Sequence, residues 1–523
     1  MPLDQMSYDE LPYTCSAMPY AQPDRLATLA TLFGMTPPAV ATCRVLELGC
    51  CDGSNIIATA HQLPQATCWG IDLSAQQIAK GQALIKALGL ANITLKQLNI
   101  LEVEKDLGQF DYIIAHGIYS WVPAPVQAKI FQICQQHLAP QGVAYISYNI
   151  KPGWNIRDNL RDMMRYYSTS STTDNDSKRV EQLKNLLKLI ATTTTAEKST
   201  YNQIISEELT HFTQLPESFI FKEFLEEEHY PEYFYQFSAK ARAYGLEYLA
   251  DAFFPTMLVS NFSSTVAAEL QVFQNNLIHQ EQMMDFLRNR RFRHTLLCHQ
   301  GTPLNRNLSS TILKHFYIAS SLQPVTDTAK SLQQFANKQG SVSTEQPIIQ
   351  LALHYLSQRW PKAVAFTELI TQIKSNQGYS SDAQEPVIML AEALFNCYAK
   401  GLIEWYTYPP PLVITITTYP QASSLARWQV RQSQKVTNQR CEVVTIENGI
   451  GLRLLPYLDG SHDKSALLKQ LNDWVEQGLL TIHIKHQETG EAISLSAENQ
   501  PAILEKLLAD TLQLIARSAL LVA

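Results

Sequence analysis

The chain has 523 residues, of which 46% are hydrophobic and 17% charged, and carries a formal net charge of −7. That length and apolar content exclude a disordered chain and suit about two to four packed domains, while the acidic balance runs opposite to a phosphate-binding surface. No stretch reaches the roughly 20 apolar residues of a membrane span, and nine cysteines, an odd count without a C-x-x-C pair, argue against a disulfide framework and a zinc site.

The first residues, MPLDQMSYDELPY, are acidic and lack a basic-then-apolar profile, so no signal peptide is expected and a cytoplasmic location follows. Arg44–Asn55 reads RVLELGCCDGSN. Here an apolar run, Val45–Leu48, enters a glycine-punctuated loop, Gly49–Gly53, and a helical pattern resumes at Ile56. A strand, a tight loop and a helix N-terminus in that order are how doubly wound α/β domains grip a nucleoside cofactor. The next strand, Trp69–Leu73, carries Asp72, which falls 19 residues past Gly53. A carboxylate at that strand's end accepts hydrogen bonds from ribose hydroxyls, and Ser74 is available to cap the helix that follows.

A dinucleotide site asks for G-x-G-x-x-G, so that a diphosphate meets the helix N-terminus. This loop instead reads E-x-G-x-x-x-G from Glu47 to Gly53. A carboxylate beside the loop repels a diphosphate and suits a cationic ligand. The pattern, with its second-strand acid, resembles motifs I and II of class I S-adenosylmethionine-dependent methyltransferases. That resemblance implies that Glu47, Gly49, Cys50, Gly53 and Asn55 back the methionine moiety of S-adenosylmethionine. It likewise implies that Asp72, with Leu73 beside it, holds the ribose, and that Asn99 and Ile100, at the end of the third strand, meet the adenine.

Further strands are predicted at Ile93–Ile100, Phe110–His116 and Gly142–Asn149, separated by helical patterns at Gln76–Leu88 and Val126–Leu138. A helix at Phe234–Tyr244 precedes strands at Gly245–Leu249 and Arg293–His299. The fold class expected is α/β, a doubly wound seven-stranded Rossmann-like sheet, with helical insertions near 151–228 and 255–290. The domains expected are a cofactor-binding one over 1–150 and 229–300 and a helical insertion over 151–228 that serves as a lid or a dimer contact. A winged-helix-like unit over 301–410 and an α+β unit over 411–523 follow. Around Ser168–Ser177 the insertion is rich in Thr, Ser and Asn and reads as a loop. The winged-helix-like unit rests on helices at Gln346–Arg359, Phe366–Ser375 and Glu385–Ala399 with a strand at Gly401–Tyr406. Its third helix has almost no basic residues, so no nucleic acid is expected there.

Methyl transfer is an in-line displacement that needs positioning and exclusion of water, and no metal. The acceptor site of this class lies after the fourth strand, where His116–Pro123 reads HGIYSWVP. The N/D-P-P-Y/F of enzymes that methylate base amines or glutamine amides is missing. Tyr119 and Trp121 stand there instead, and an aromatic wall with a phenol suits a lysine. His116, at the end of a buried strand, is expected to line the adenine pocket. Trp121 has a second reading as packing against Pro123.

The segments SYDELPY, PDRLATLATLFGM, HGIYSWVP, YISYNIKPGW, LLCH and RLLPYLDG together resemble bacterial methyltransferases that carry a methyltransferase regulatory domain, including protein-lysine methyltransferases of outer-membrane proteins. The resemblance covers nearly the whole chain. It implies a homodimer, a protein substrate methylated on lysine, and a catalytic set of Tyr119, Trp121 and Tyr13, the last folding over the cofactor from Tyr8–Tyr13. Asn149, Pro152 and Trp154 are placed to shape the acceptor channel. A small-molecule N- or O-methyltransferase and a non-catalytic binding protein with a degenerate cofactor fold stay open as alternatives.

Overall fold

The computed structural model describes residues 15–169, 176–196, 200–212, 217–325, 331–377, 385–482, 484–485, 492–493 and 500–522. After a helix at Pro23–Leu32 (α1), the chain lays down β1 (Arg44–Leu48), α2 (Ser54–Gln62), β2 (Thr67–Asp72), α3 (Ala75–Leu88), β3 (Ile93–Gln97), β4 (Phe110–Ala115), α4 (Ala124–His137) and β5 (Leu138–Asn149). The helical insertion is α5 (Trp154–Thr169), α6 (Asp176–Ala196), α7 (Thr200–Phe212) and α8 (Glu217–Leu225). The chain returns through α9 (Phe234–Ala243) and β6 (Leu246–Asp251), then α10 (Ser264–Gln271), α11 (Leu277–Arg288) and β7 (Phe292–His299).

These seven strands form one sheet in the order β3-β2-β1-β4-β5-β7-β6. The first five are parallel, and β7 is inserted antiparallel between β5 and β6. β1 and β4 are buried over nearly their whole length, as strands covered by helices on both faces must be. Strand order reverses beside β1, which opens a crevice at the carboxyl ends of β1 and β4. Ser74 caps α3 by accepting the Gln77 N–H at 3.1 Å, and the helix ends at Gly89 with φ +66°.

The predicted elements are all present, with shifted ends. β3 stops at Gln97, because the Asn99 side chain accepts the Leu101 N–H and starts a 3₁₀ turn at Ile100–Glu102. β5 begins four residues before Gly142. The loop expected at Ser168–Ser177 falls largely on residues outside those described. α5 to α8 bury their own apolar cluster of Leu160, Met164, Leu183, Leu187, Ile205, Leu209 and Ile220.

Beyond the sheet, helices at Pro347–Arg359 (α12), Phe366–Gln377 (α13) and Glu385–Ala399 (α14) are followed by a strand at Glu404–Tyr406. The last unit contains helices at Ser424–Gln429, Gly449–Leu454, Lys464–Glu476 and Gln500–Arg517 around a separate core. Among the described residues no helix is long and apolar enough to cross a membrane.

One buried ion network fastens the second insertion to the sheet. Arg293 of β7 is fully enclosed and meets Asp285 Oδ2 and Glu281 Oε2 of α11, each at 2.8 Å. Its guanidinium also stacks 3.7 Å from the Phe234 ring centre. Removing one member of such a network leaves uncompensated charge in the interior. Arg293→Leu is therefore expected to lose about 3–5 kcal/mol of stability, read as a lowered midpoint in denaturant unfolding; a change within 1 kcal/mol or so would mean that the carboxylates find other partners.

Candidate functional site

β1 carries Glu47 to the mouth of the crevice, and the chain then turns through Gly49, Cys51 and Gly53, with φ of +67°, +55° and +75°. A Cβ on Gly49 would lie 2.5 Å from Ile118 Cδ1, so a side chain there would have to displace that methyl from a turn whose φ already favours glycine. Asp72 stands at the end of β2. Its Oδ2 accepts the Cys51 N–H at 2.8 Å and its Oδ1 the Ser74 N–H at 2.9 Å. Burial raises its pKa while those two N–H groups pull it back. Each carboxylate oxygen has a second lone pair, so the group that fixes the loop still has acceptor capacity facing the crevice.

Glu47 is buried. Its Oε1 accepts Asn55 Nδ2 at 3.0 Å, while its Oε2 makes no hydrogen bond of normal geometry, although the Ile56 N–H also pulls on the carboxyl. Burial pushes the carboxyl up to about 8. Asn55 in turn accepts the Met18 N–H and Gln22 Nε2, each at 2.9 Å, which makes it the brace between Glu47 and the segment before α1.

These groups line a cavity of about 520 Å³. One end is formed by Asp72, Leu73, Leu98, Asn99 and Ile100, the middle by Glu47, Gly49, Cys50, Cys51 and Asn55, and the far end by His116, Gly117, Trp121, Asn149 and Trp154. Over it lie Phe219, Lys222 and Glu223 of α8, with Glu226 just beyond, and Arg291 and Phe292 at the start of β7. Burial raises Glu223 to about 7 against the pull of Arg157 and Arg161, and lowers Lys222. The fit to S-adenosylmethionine rests on chemistry at both ends. The unpaired, enclosed Glu47 oxygen calls for a cation or a proton, Asp72 offers acceptors for a diol, and Leu73 and Ile100 give an apolar seat for a ring.

Family models agree segment by segment. One described as "Methyltransferase domain" matches residues 45–142, "Predicted methyltransferase regulatory domain" matches 216–299, and "PKMT, C-terminal winged helix domain" matches 418–520. The uncharacterized protein RP789 of Rickettsia prowazekii is 33% identical over 99% of this chain and 94% of its own length. The chain belongs to the S-adenosylmethionine-dependent methyltransferases that carry a methyltransferase regulatory domain. PKMT2 from Rickettsia typhi superimposes with a TM-score of 0.87 at 28% identity, covering 98% of this chain and 100% of that one. The same protein in complex with AdoHcy gives 0.88 at 29% identity. Within this methyltransferase the winged-helix description falls on 418–520, the stretch the sequence suggested was α+β, while 301–410 holds the three helices and strand expected of it.

The structure relocates several residues of the predicted site. Tyr119 is fully buried and packs against Phe131, Tyr148 and Phe237. Its hydroxyl faces the Glu232 carboxylate without hydrogen-bond geometry, and burial pushes its pKa up. It does not line the cavity, so it is no candidate for touching an acceptor. The physical reason is the 3₁₀ turn at Tyr119–Trp121. With three residues per turn, side chains two apart diverge, and it is Trp121 that faces the cleft. Tyr13 and the segment Tyr8–Tyr13 lie outside the described residues. His116 lines the cavity just past β4, while Asn99 and Ile100 enter it beyond β3, with β2 and β1 between those two strands. Its Nδ1 lies 3.0 Å from both Tyr145 Oη and Ser147 Oγ, and burial, helped by His294, lowers its pKa to about 3, so it stands there as a neutral ring.

The cysteine reading also needs correction. Cys15 and Cys51 are joined by a disulfide, while the other seven cysteines are free and buried. Spacing could not reveal a bridge made when the segment before α1 crosses the cofactor loop. Sequence reasoning also missed Ser16, Met18, Arg157, Phe219, Lys222, Glu223, Glu226, Arg291 and Phe292. No local pattern marks them, because they reach the cavity from the insertion and the chain ends of distant elements.

Two outcomes follow. The folded Glu47 carboxyl titrates near 8 against an ordinary 4.5, so its contribution is fully present below pH 4.5 and is lost as pH rises through 8. Cofactor-free Glu47→Gln should therefore melt higher than the parent by an amount that grows between pH 5 and 8, while binding S-adenosylmethionine at least about tenfold more weakly, a loss of some 1.4 kcal/mol. A pH-independent difference in melting would show that Glu47 is ionised in the free protein. Tyr119→Phe, which removes a buried unpaired hydroxyl, should leave cofactor affinity and turnover within about twofold of the parent and stability unchanged or higher. A loss of turnover alone would return Tyr119 to the reaction.

Proposed function

We propose that the protein transfers the methyl group of S-adenosylmethionine to the side-chain amine of lysine in a protein substrate. The observation that carries this reading is the lining of the cavity beyond the donor-binding loop, which brings Trp121 and Trp154 together with Glu223 and Glu226. Indole walls pack the methylene stem of a lysine, and Glu223 and Glu226 set negative charge against the Arg157 and Arg161 guanidiniums that lie over Trp154 and Trp121. The likeness to PKMT2 over nearly the whole chain supports the same substrate class.

S-adenosylmethionine supplies an electrophilic methyl on a sulfonium. Glu47, Gly49, Cys50, Gly53, Asp72, Leu73, Asn99, Ile100 and His116 hold the donor in this proposal, with Asn55 bracing Glu47 from behind. An incoming lysine must first lose a proton, which against a reference pKa near 10.4 costs roughly 4–5 kcal/mol at pH 7. Desolvation against the cavity faces of Trp121 and Trp154 lowers that cost by disfavouring the ammonium. The amine lone pair then forms the C–N bond as the C–S bond breaks, sulfur keeps the electron pair, and the new ammonium gives its proton to water. The rest of the proposal is a homodimer in the cytoplasm, without nucleic acid, divided into a methyltransferase domain (1–150 and 229–300), an insertion (151–228) and C-terminal units (301–410 and 411–523).

The test uses methyl-labelled S-adenosylmethionine and a cell extract lacking the enzyme. Label is expected in protein retained on a gel, and mass spectrometry is expected to place it on lysine side chains. Label found only in a filterable small product would overturn the reading in favour of a small-molecule acceptor.

A further inference from the structure

Asn149 closes β5 at the acceptor end of the cavity. It is only 5% exposed, and it lines the cavity. Its backbone N–H donates to Ser120 Oγ at 2.9 Å, which fixes the residue in place. Its Nδ2 lies 3.1 Å from His229 Nε2, and His229 Nδ1 lies 3.4 Å from Asp158 Oδ1. The imidazole is wedged between two indoles, 4.5 Å from the centre of Trp121 and 4.4 Å from that of Trp154, so it has one orientation.

Those contacts decide which way the Asn149 carboxamide points. A carboxylate only accepts hydrogen bonds, so the ring nitrogen beside Asp158 carries the proton. Burial, reinforced by Arg161 and Lys151, keeps the ring neutral against the pull of Asp158. Nε2 is then a lone pair, and it must face the NH₂ of Asn149. The carboxamide oxygen is left turned to the cavity, with no donor among the described residues.

We propose that the Asn149 carboxamide oxygen accepts an N–H of the acceptor amine, and that His229 and Asp158 are positioning residues that hold it in that orientation. A neutral amine held by one N–H keeps its lone pair for the methyl carbon, whereas a carboxylate acceptor has no N–H to give and meets an oxygen that repels it. The site therefore disfavours carboxylate acceptors and suits a neutral amine. This deepens the lysine reading above and rests on the donor lying in the same cleft.

The experiment measures binding, not turnover. Two unreactive donor analogues are titrated by calorimetry: S-adenosylhomocysteine, and sinefungin, in which an amine replaces the sulfonium methyl. The parent protein is expected to prefer sinefungin by about tenfold, the size of one hydrogen bond to a charged donor. In Asn149→Ala and His229→Phe that preference should fall below about twofold, with S-adenosylhomocysteine affinity held, while His229→Gln, which keeps an acceptor, should restore most of it. Equal loss of both analogues, or a preference that survives Asn149→Ala, would overturn the assignment. Should His229→Phe not fold, Asn149→Ala decides alone. Because no acceptor is present, a failure of lysine methylation leaves this result readable.

Discussion

A carboxylate enclosed in protein with one oxygen bound and the other without a full hydrogen bond is a costly arrangement, and Glu47 at the tip of β1 is in that position. Much of its surroundings serves to hold it there. Asn55 donates to it from α2, and Asn55 is itself gripped by Met18 and Gln22, while Gln22 accepts from Thr59. The chain leading into α1, the first turn of α2 and the end of β1 are thus one polar unit. Without a cation the carboxyl keeps its proton. In the proposal above a positively charged donor lets it ionise, so the buried carboxyl stands where its ligand would carry charge.

Around that point the two ends of the cleft are built by different means. Asp72 organises the donor end through backbone N–H groups on both sides of it, so a single carboxylate fixes the loop and remains available to a ligand. Side chains from separate elements build the acceptor end: Trp121 after β4, Asn149 closing β5, Trp154 opening α5 and His229 ahead of α9. α8 covers both. An insertion with its own apolar core therefore completes a site that the sheet alone leaves open, and the Arg293 network keeps the second insertion docked against β7.

Much of this was legible in the residue order. Glycines at 49 and 53, the carboxylate at 72 and the apolar runs of β1, β2 and β4 each act locally, through φ preference, strand pattern and spacing within one βα unit, and the donor half of the site follows from them. The acceptor half was less legible. Tyr119 and Trp121 read as an equivalent aromatic pair, but a short 3₁₀ turn sends one into the core and the other into the cleft. Strand order alone puts two strands between His116 and the end of β3, a separation that no local pattern carries. The bridge between Cys15 and Cys51 joins residues 36 apart, and nothing in the glycine loop around Cys51 points to Cys15.

What the sequence determined by itself is the class of domain and the chemistry of its donor, since both depend on contacts among residues a few positions apart. Which side chains face the acceptor was decided only by tertiary structure. Asn149, His229 and Asp158 act together because β5, α5 and the approach to α9 converge, and Glu223 reaches the cavity because α8 folds back over the sheet. Such convergence depends on how whole elements pack, which no spacing along the chain encodes.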